Sequence, residues 1–344
     1  MIAACGRRGV GGEKPRKRAT RTALAFRWLA AGAAAPAAAT SFLRATSADW
    51  PVQAVQLLSF VPWFTVPATA AFLLALPARS RPLQLLTAAL LAVHVAWLLP
   101  VTASPAAAHP GGQKVQLRAM SLNAELGGAE ADDIVKLVRE QGIELLALEE
   151  YTAALGDRLA AAGLLSLLPH HVSHPRDGAG GAAVYSSFQL RDAGAIRGTG
   201  FSMPVVDLDL GAGNGAALRV VAVHCLAPVG DGLVRWRSDL AALARTGTGS
   251  GPLLLAGDFN ATLDHHEFRA LLAGTGEGRK LVDVAASLGN RLIPTWPMGG
   301  YHLPGITLDH LVTSQDVRGA DYSVHRVPGT DHAAVLATLA IPAG

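Results

Sequence analysis

The run Leu253-Leu254-Leu255-Ala256-Gly257-Asp258-Phe259-Asn260 constrains this chain more than any other stretch. Unbroken apolar residues followed by Gly, Asp and Asn read as a buried strand that stops where polar side chains begin. Strand side chains alternate faces, so Asp258 and Asn260 are expected to point the same way at the strand's carboxyl end. A carboxylate beside a carboxamide suits a hard divalent cation holding a phosphate. The same residues also suit an ordinary turn, since Gly, Asp and Asn all favour turns.

Repetition separates the two readings. Ser121-Leu122-Asn123, Leu148-Glu149-Glu150, Val223-His224 and the C-terminal pair Leu308-Asp309-His310 and Thr330-Asp331-His332 each close or flank an apolar run of strand character. Strands are expected over 113–122, 143–148, 181–186, 204–210, 217–225, 308–313, 322–327 and 333–341. Helices are expected over 131–141, with Ile134, Val135 and Val138 on one side, over 233–245, with Leu240 and Leu243 inward, and around 267–272. Near-continuous apolar strands over this length point to one domain with covered sheets.

In this order the motifs resemble those of the endonuclease/exonuclease/phosphatase superfamily, the metal-dependent phosphoesterases that include DNase I-like nucleases, sphingomyelinases and inositol phosphatases. The resemblance covers roughly residues 114 to 341. It implies a four-layered αββα sandwich, two packed sheets flanked by helices. Members usually carry Gln-Glu where this chain has Glu149-Glu150. The register of the resemblance makes Glu150 a metal ligand and leaves Glu149 exposed or a second acid. It gives Asn123 a supporting contact to the metal site or the phosphate. Asp258 is to orient or deprotonate the attacking water, and Asn260 to hold a phosphate oxygen. His224 is to stabilise the phosphate by donating to a non-bridging oxygen. His332 is to sit at the scissile phosphate with Asp309 behind it, and Asp331 to complete the metal site. A carboxylate behind imidazole fixes its tautomer and raises its basicity. The cofactor implied is Mg²⁺, with Mn²⁺ as the alternative. Some nuclease members orient the residue matching His224 with a glutamate from an earlier segment. Residues 164–189 hold no Glu and only Asp177, which speaks against the nuclease version.

Other polar groups read as structural or peripheral. His310 is expected to be structural. Asp264, His265 and His266 look like a metal cluster but read as the start of an exposed helix. His170, His171 and His174 form a looser group near the expected substrate rim. Cys225 reads as a small buried hydrophobe, and Cys5 falls in a tail from which it cannot pair with Cys225.

The first 103 residues are of another kind. They carry the excess apolar content behind a mean hydropathy of +0.31. Val52 to Pro77 and Pro82 to Ala103 are nearly uncharged and long enough to span a bilayer as helices. Thr22 to Phe42 is a weaker candidate, a span or a signal sequence. The organisation expected is a basic cytoplasmic tail over 1–21, about three transmembrane helices within 22–103, a linker over 104–113 and the domain over 114–344. Positive charge in the tail and at Arg79 and Arg81 places both on the cytoplasmic side and the domain outside. Residues 1–103 hold 11 Lys and Arg against 2 acids, a net of +9, so the remaining 18 basic and 24 acidic residues give −6. An acidic domain argues against nucleic acid as partner.

The expectation is therefore a multi-pass cell-membrane protein, its partners the lipid bilayer and a phosphorylated substrate. It would hydrolyse a phosphate ester or pyrophosphate outside the cytoplasm. The layout resembles membrane-anchored bacterial members, some associated with glycopeptide resistance, which implies a lipid-linked substrate of the cell envelope. Two alternatives stand beside it: an extracytoplasmic nuclease, and a membrane sensor that binds a phosphorylated ligand without cleaving it.

Overall fold

The structure, a computed structural model, describes residues 15–47, 49–99, 114–211, 217–246, 251–274, 279–300 and 303–342. The expected linker, Cys5 and most of the basic tail lie outside these residues. The chain forms two compact units, one of Met1–Phe42 with Val61–Leu98 and one of Leu43–Phe60 with Leu99–Gly344.

The helices of the N-terminal region are α1 (Pro15–Ala45), α2 (Val52–Leu58), α3 (Thr65–Ala75) and α4 (Arg81–Leu98). Within the first unit, Arg27 Nε donates to the Ala78 carbonyl at 3.1 Å, and Ser41 Oγ lies 3.1 Å from His94 Nε2. The three expected spans are not borne out. Among the described residues only α4 is long and apolar enough to cross a membrane by itself. The expected second span breaks by 72° between α2 and the helical stretch Val61–Ala75. Pro62 explains the break, because it lacks an N–H and disfavours helical geometry at the residue before it.

The short helix α2 belongs instead to the second unit. Val55 is buried in its core beside Trp236, Phe259 and Phe268. Gln56 Nε2 donates to the Pro228 carbonyl at 3.1 Å.

The second unit is a sandwich. Its strands are β1 (Lys114–Asn123), β2 (Leu145–Glu149), β3 (His170–His174), β4 (Ala182–Ser186), β5 (Gln189–Ala195), β6 (Pro204–Asp209), β7 (Ala217–His224), β8 (Leu253–Asp258), β9 (Leu281–Asp283), β10 (Asp309–Ser314), β11 (Arg318–Arg326) and β12 (Ala333–Pro342). One sheet runs β11-β12-β1-β2-β4-β3 and the other β5-β6-β7-β8-β10-β9. The central pairs β1/β2 and β7/β8 are parallel. The larger helices are α5 (Ala131–Glu140), α6 (Ala153–Ala161), α7 (Leu164–Leu167), α8 (Gly232–Thr246), α9 (His266–Ala273) and α10 (Val284–Ser287).

Strand alternation builds three buried layers. Leu117 and Ala119 of β1, Leu145 and Ala147 of β2, Val220 and Ala222 of β7, Leu254 and Ala256 of β8, and Leu311 of β10 meet between the sheets. The opposite faces of β1 and β2 meet Ile134, Val138, Leu155 and Leu159 of α5 and α6. The opposite faces of β7 and β8 meet Trp236, Leu240 and Leu243 of α8, Phe268 of α9, and Val55. The expected αββα sandwich is present, with α2 as an added part of its outer layer.

Candidate active site

The inter-sheet rows end on polar residues, and that is what makes the site. Continuing each inward row by two residues leads from Ala119 through Ser121 to Asn123, from Ala147 to Glu149, from Ala222 to His224 and from Ala256 to Asp258. In β10 the row starts on Asp309, two residues before Leu311. The register sets these ends side by side: Asn123 opposite Glu149, His224 opposite Asp258, and Asp309 opposite Asp258.

Gly257 permits the close approach of β7 and β8. Its φ is +150°, and a Cβ there would lie 1.9 Å from the Val223 carbonyl oxygen. After Asp258 the strand stops, and Asn260 adopts a left-handed φ of 47°. The sequence expectation that alternation aligns Asp258 with Asn260 is thus corrected. A turn brings them together, with Asn260 N donating to Asp258 Oδ1 at 2.7 Å and Asn260 Nδ2 to Asp258 Oδ2 at 3.1 Å.

Asn123 joins the two sheets. Its Nδ2 lies 3.2 Å from both Glu150 Oε1 and Asp258 Oδ2. Glu150 turns out of its strand with φ 55°, and its Oε2 accepts from Leu126 N at 2.6 Å. Glu149, left open between an exposed group and a second acid, is fully buried. Ser121 Oγ donates to its carboxyl oxygens at 3.2 and 3.3 Å. Burial, then Asp309 and Asp258, push the Glu149 pKa well above the usual carboxylate range.

His332 Nδ1 lies 2.9 Å from Asp309 Oδ2, so this nitrogen donates and Nε2 faces Asp258 Oδ2 at 3.8 Å. Burial opposes charging of the ring, but Asp309 first and then Asp258 outweigh it and raise His332 to about 10. Burial raises Asp258 to about 7 despite the lowering influence of His332. Thr295 Oγ1 accepts from the Asp309 amide at 3.1 Å, and Thr330 Oγ1 donates to the Asn123 carbonyl at 2.8 Å while accepting from the His332 amide.

His224 Nδ1 donates to the Ala179 carbonyl at 3.1 Å, so a backbone oxygen orients the ring. Burial, followed by the His332 charge, lowers His224 to about 4. The neutral ring therefore aims an Nε2 lone pair at Glu150 Oε1 and Asp258 Oδ2, 3.8 and 3.9 Å away. In this tautomer it accepts; donation to a phosphate oxygen, as expected from sequence, needs the doubly protonated ring. Phe201 stacks on it at 4.5 Å between ring centres.

Asp331 sits at the edge of the group. Its Oδ2 accepts from Trp296 Nε1 at 2.8 Å, and its Oδ1 lies 3.9 Å from His332 Nε2. Thr330 belongs to the C-terminal motif, whereas Thr295, Trp296 and the Ala179 carbonyl lie in loops whose contacts to the site no sequence pattern marks.

The other histidines are structural or apart. His310, as expected, is buried, 2.5 Å from Asp283 Oδ2 and 2.8 Å from the Ala261 carbonyl. The helix expected to begin at 264–266 starts at the exposed His266, but the expected exposure of Asp264 and His265 is corrected. Asp264 and His265 are fully buried. His265 Nδ1 accepts from Thr262 N at 2.9 Å and Nε2 donates to the Val55 carbonyl at 3.0 Å, which leaves neither nitrogen for a metal. His170, His171 and His174 lie on edge strand β3, where His171 stacks on Tyr185 and His174 contacts Ser202. Cys225 is buried, as expected, and burial raises its thiol pKa.

Glu150 and Asp258 are bridged by Asn123 Nδ2, which as an N–H donor is no metal ligand. Among the described residues one group of side chains is spaced to hold a cation. Asp258, Asp309 and His332 each offer a ligand atom within 4.8 Å of the others. Glu149, Asp258 and Asp309 crowd one buried spot, and a divalent cation relieves such an excess of negative charge.

A family model described as the endonuclease/exonuclease/phosphatase family matches residues 120–332, more than half of the chain. Similar solved structures include D. rerio TDP2 complexed with single-strand DNA product, at 14% identity and TM-score 0.52, covering 65% of this chain and 98% of that one. An endonuclease/exonuclease/phosphatase from Bacteroides vulgatus has 15% identity and TM-score 0.51, covering 66% and 100%. One from Beutenbergia cavernae has 18% identity and TM-score 0.50, covering 66% and 72%. No curated protein matches the chain. These likenesses agree with the two-sheet architecture, and the family is one of divalent-metal-dependent hydrolases of phosphoester bonds. The chain belongs to the endonuclease/exonuclease/phosphatase family.

Proposed function

We propose that this chain is a membrane-anchored, Mg²⁺-dependent phosphoesterase whose second unit acts outside the cytoplasm on a lipid-linked phosphate or pyrophosphate. The observation that carries the chemistry is the continuous polar row in which Asn123 links Glu150 to Asp258 and the Asp309–His332 pair faces the same Asp258 oxygen. Burial raises the Asp258 pKa, which makes its carboxylate a better acceptor for a proton from water. His332, held cationic by Asp309, offers an Nε2–H to a phosphoryl oxygen. The amides of Asn123 and Asn260 hold Glu150 and Asp258 in place, and would donate to that charge only by giving up bonds to Glu150, Asp258 or the Cys225 carbonyl. The His224 lone pair can accept from the attacking water or a substrate hydroxyl. Glu150, with Asp331, is the carboxylate pair that would hold Mg²⁺, with Mn²⁺ as substitute. When bound, the cation neutralises charge that builds on the phosphate oxygens.

Charge and connectivity support the anchoring. Segment 61–98, which joins two parts of one unit, carries α4, the one described helix long and apolar enough to cross a membrane by itself, and part of the bent pair that could make a second crossing. The basic residues Arg79 and Arg81 then mark the far side, together with the basic tail. A reporter active only outside the cytoplasm should work when fused after Pro110 and stay silent after Arg79. The reverse pattern would contradict the location.

The activity is tested with the full chain in detergent or nanodiscs, offered lipid pyrophosphates, phospholipids, inositol phosphates and DNA, with Mg²⁺ or with a chelator. Metal-dependent hydrolysis of an amphiphilic phosphate is expected. Binding of phosphate compounds with no turnover under any metal would leave a sensor in place of an enzyme.

A further inference from the structure

The polar row lies at one end of a cleft of about 1000 Å³, far more than a phosphoryl group fills. Much of the remaining wall is apolar and includes Phe60, Leu226, Val229, Trp296, Leu303 and Ile306. Val229 is 63% exposed and Leu303 48% exposed, so apolar surface stands in water next to a buried charged site. Such patches in soluble units mark binding surfaces. The Trp296 Nε1 donates to Asp331, which fixes the indole at the edge of the polar row.

The charge of the cleft narrows the occupant further. Among the described residues no Lys or Arg lines it. A groove that follows a nucleic-acid backbone, or a pocket for several phosphates, needs cationic side chains along its length. Beyond the polar row the lining is mostly carbon, with Gln56, Ser59, Glu125 and Asp231 as further polar side chains and no cation among them. One edge of the cleft comes from Gln56, Ser59 and Phe60, the segment directly preceding the helices of the first unit.

We infer that this wall is a subsite for the apolar chain of an amphiphilic phosphate, built in part from the N-terminal segment at Phe60 and laid against the catalytic row so that the hydrocarbon lies along Val229, Leu303 and Ile306 while the phosphorus sits at Asp258. The inference rests on the phosphoesterase reading for what happens at the phosphorus, but the subsite itself is a matter of binding.

The test uses the full chain and a series of alkylphosphonates, from methyl to octyl, kept below micelle-forming concentrations with Mg²⁺ present. Each methylene removed from water tightens binding by up to roughly fourfold, so octylphosphonate should bind at least about 30-fold more tightly than methylphosphonate. Val229→Asp and Leu303→Asp should each cut that ratio at least about fivefold. Val234→Asp, at a residue 77% exposed and outside the cleft, should keep it. Hydrolysis of the matching alkyl phosphates is measured in parallel. Turnover without any dependence on chain length in either assay overturns the subsite and leaves the phosphoesterase standing. Chain-length-dependent binding that Val229→Asp abolishes, without turnover of any phosphate, supports the subsite and removes the enzyme. Equal, weak binding of every chain length overturns the subsite, as does an equal loss of the ratio in Val234→Asp.

Discussion

Removing the carboxylate of Asp264 should loosen the second unit severely, because two arginines bond it and a third bonds the same residue's carbonyl. Asp264 Oδ1 accepts from Arg44 Nε at 2.7 Å and Oδ2 from Arg291 Nη2 at 2.8 Å, in a side chain that is fully buried. Arg269 bonds the Asp264 and Arg44 carbonyls at 2.6 and 2.9 Å. Burial, and next the charge of Arg44, lower Arg269 to about 10, so Asp264 is what offsets the mutual repulsion. Breaking a buried pair by deleting one partner costs about 3–5 kcal/mol. For a unit of this size, each kcal/mol lowers Tm by roughly 2–4 °C, so Asp264→Ala should lose about 6–20 °C. Near-UV circular dichroism of the full chain in detergent measures it. Limited proteolysis should then cut near Arg44 and Trp50, which the wild type protects. Arg44 holds the segment that carries α2 into the core, so the same variant should also lose the preference for longer alkylphosphonates. A fall of less than about 2 °C, with no new cleavage, would show that Leu43–Phe60 is not part of the catalytic unit.

Four further outcomes follow from the site and its surroundings. Glu150→Gln should cost on the order of 10²-fold or more in rate and weaken the response to Mg²⁺. Glu149→Gln should cost much less, since Glu149 is pushed toward its neutral form and an amide imitates it; equal effects in a metal titration would refute the assignment. Gly257→Ala places a carbon 1.9 Å from the Val223 carbonyl oxygen and should destabilise by about 3 kcal/mol or more, read by urea unfolding. Burial holds the His265 pKa below its usual value, so the unfolded chain takes up the proton first as pH falls. The stability it contributes is complete above about pH 6.5 and declines below that, on the way to the lowered folded pKa. Melting curves between pH 5 and 8 should show a slope that His265→Gln flattens, and an unchanged slope would refute the neutral clamp to Val55.

Strands in the middle of each sheet were legible because both faces are buried and their apolar runs are unbroken. Those ending at Asn123, His224, Asp258 and Ser314 fall within a residue or two of their expected bounds. The missed strands β3, β5 and β9, and the early part of β11, are sheet edges. β5 is exposed along nearly its whole length, so no apolar rhythm marks it. At the site, residue identities were legible but directions were not. The inward row Leu145, Ala147, Glu149 could have shown that Glu149 is buried, whereas the turn at Glu150 rests on a positive φ with no local signal. Hydropathy misled at Val52–Pro77, since Val55 is apolar in order to reach the protein core, and composition alone does not distinguish that from lipid.

The measurement that reaches the central claim most directly is steady-state hydrolysis of an amphiphilic phosphate by wild type, His332→Ala, Asp309→Asn and the double variant, with affinity for octylphosphonate and Tm recorded for each. Groups acting as one unit are strongly non-additive. Each single change should remove most of the rate, the double variant should be little slower than either, and phosphonate binding should largely survive. Losses that multiply in the double variant, or a wild type that binds the phosphonate and turns over no phosphate with any divalent metal, would contradict catalysis by the Asp309–His332 pair.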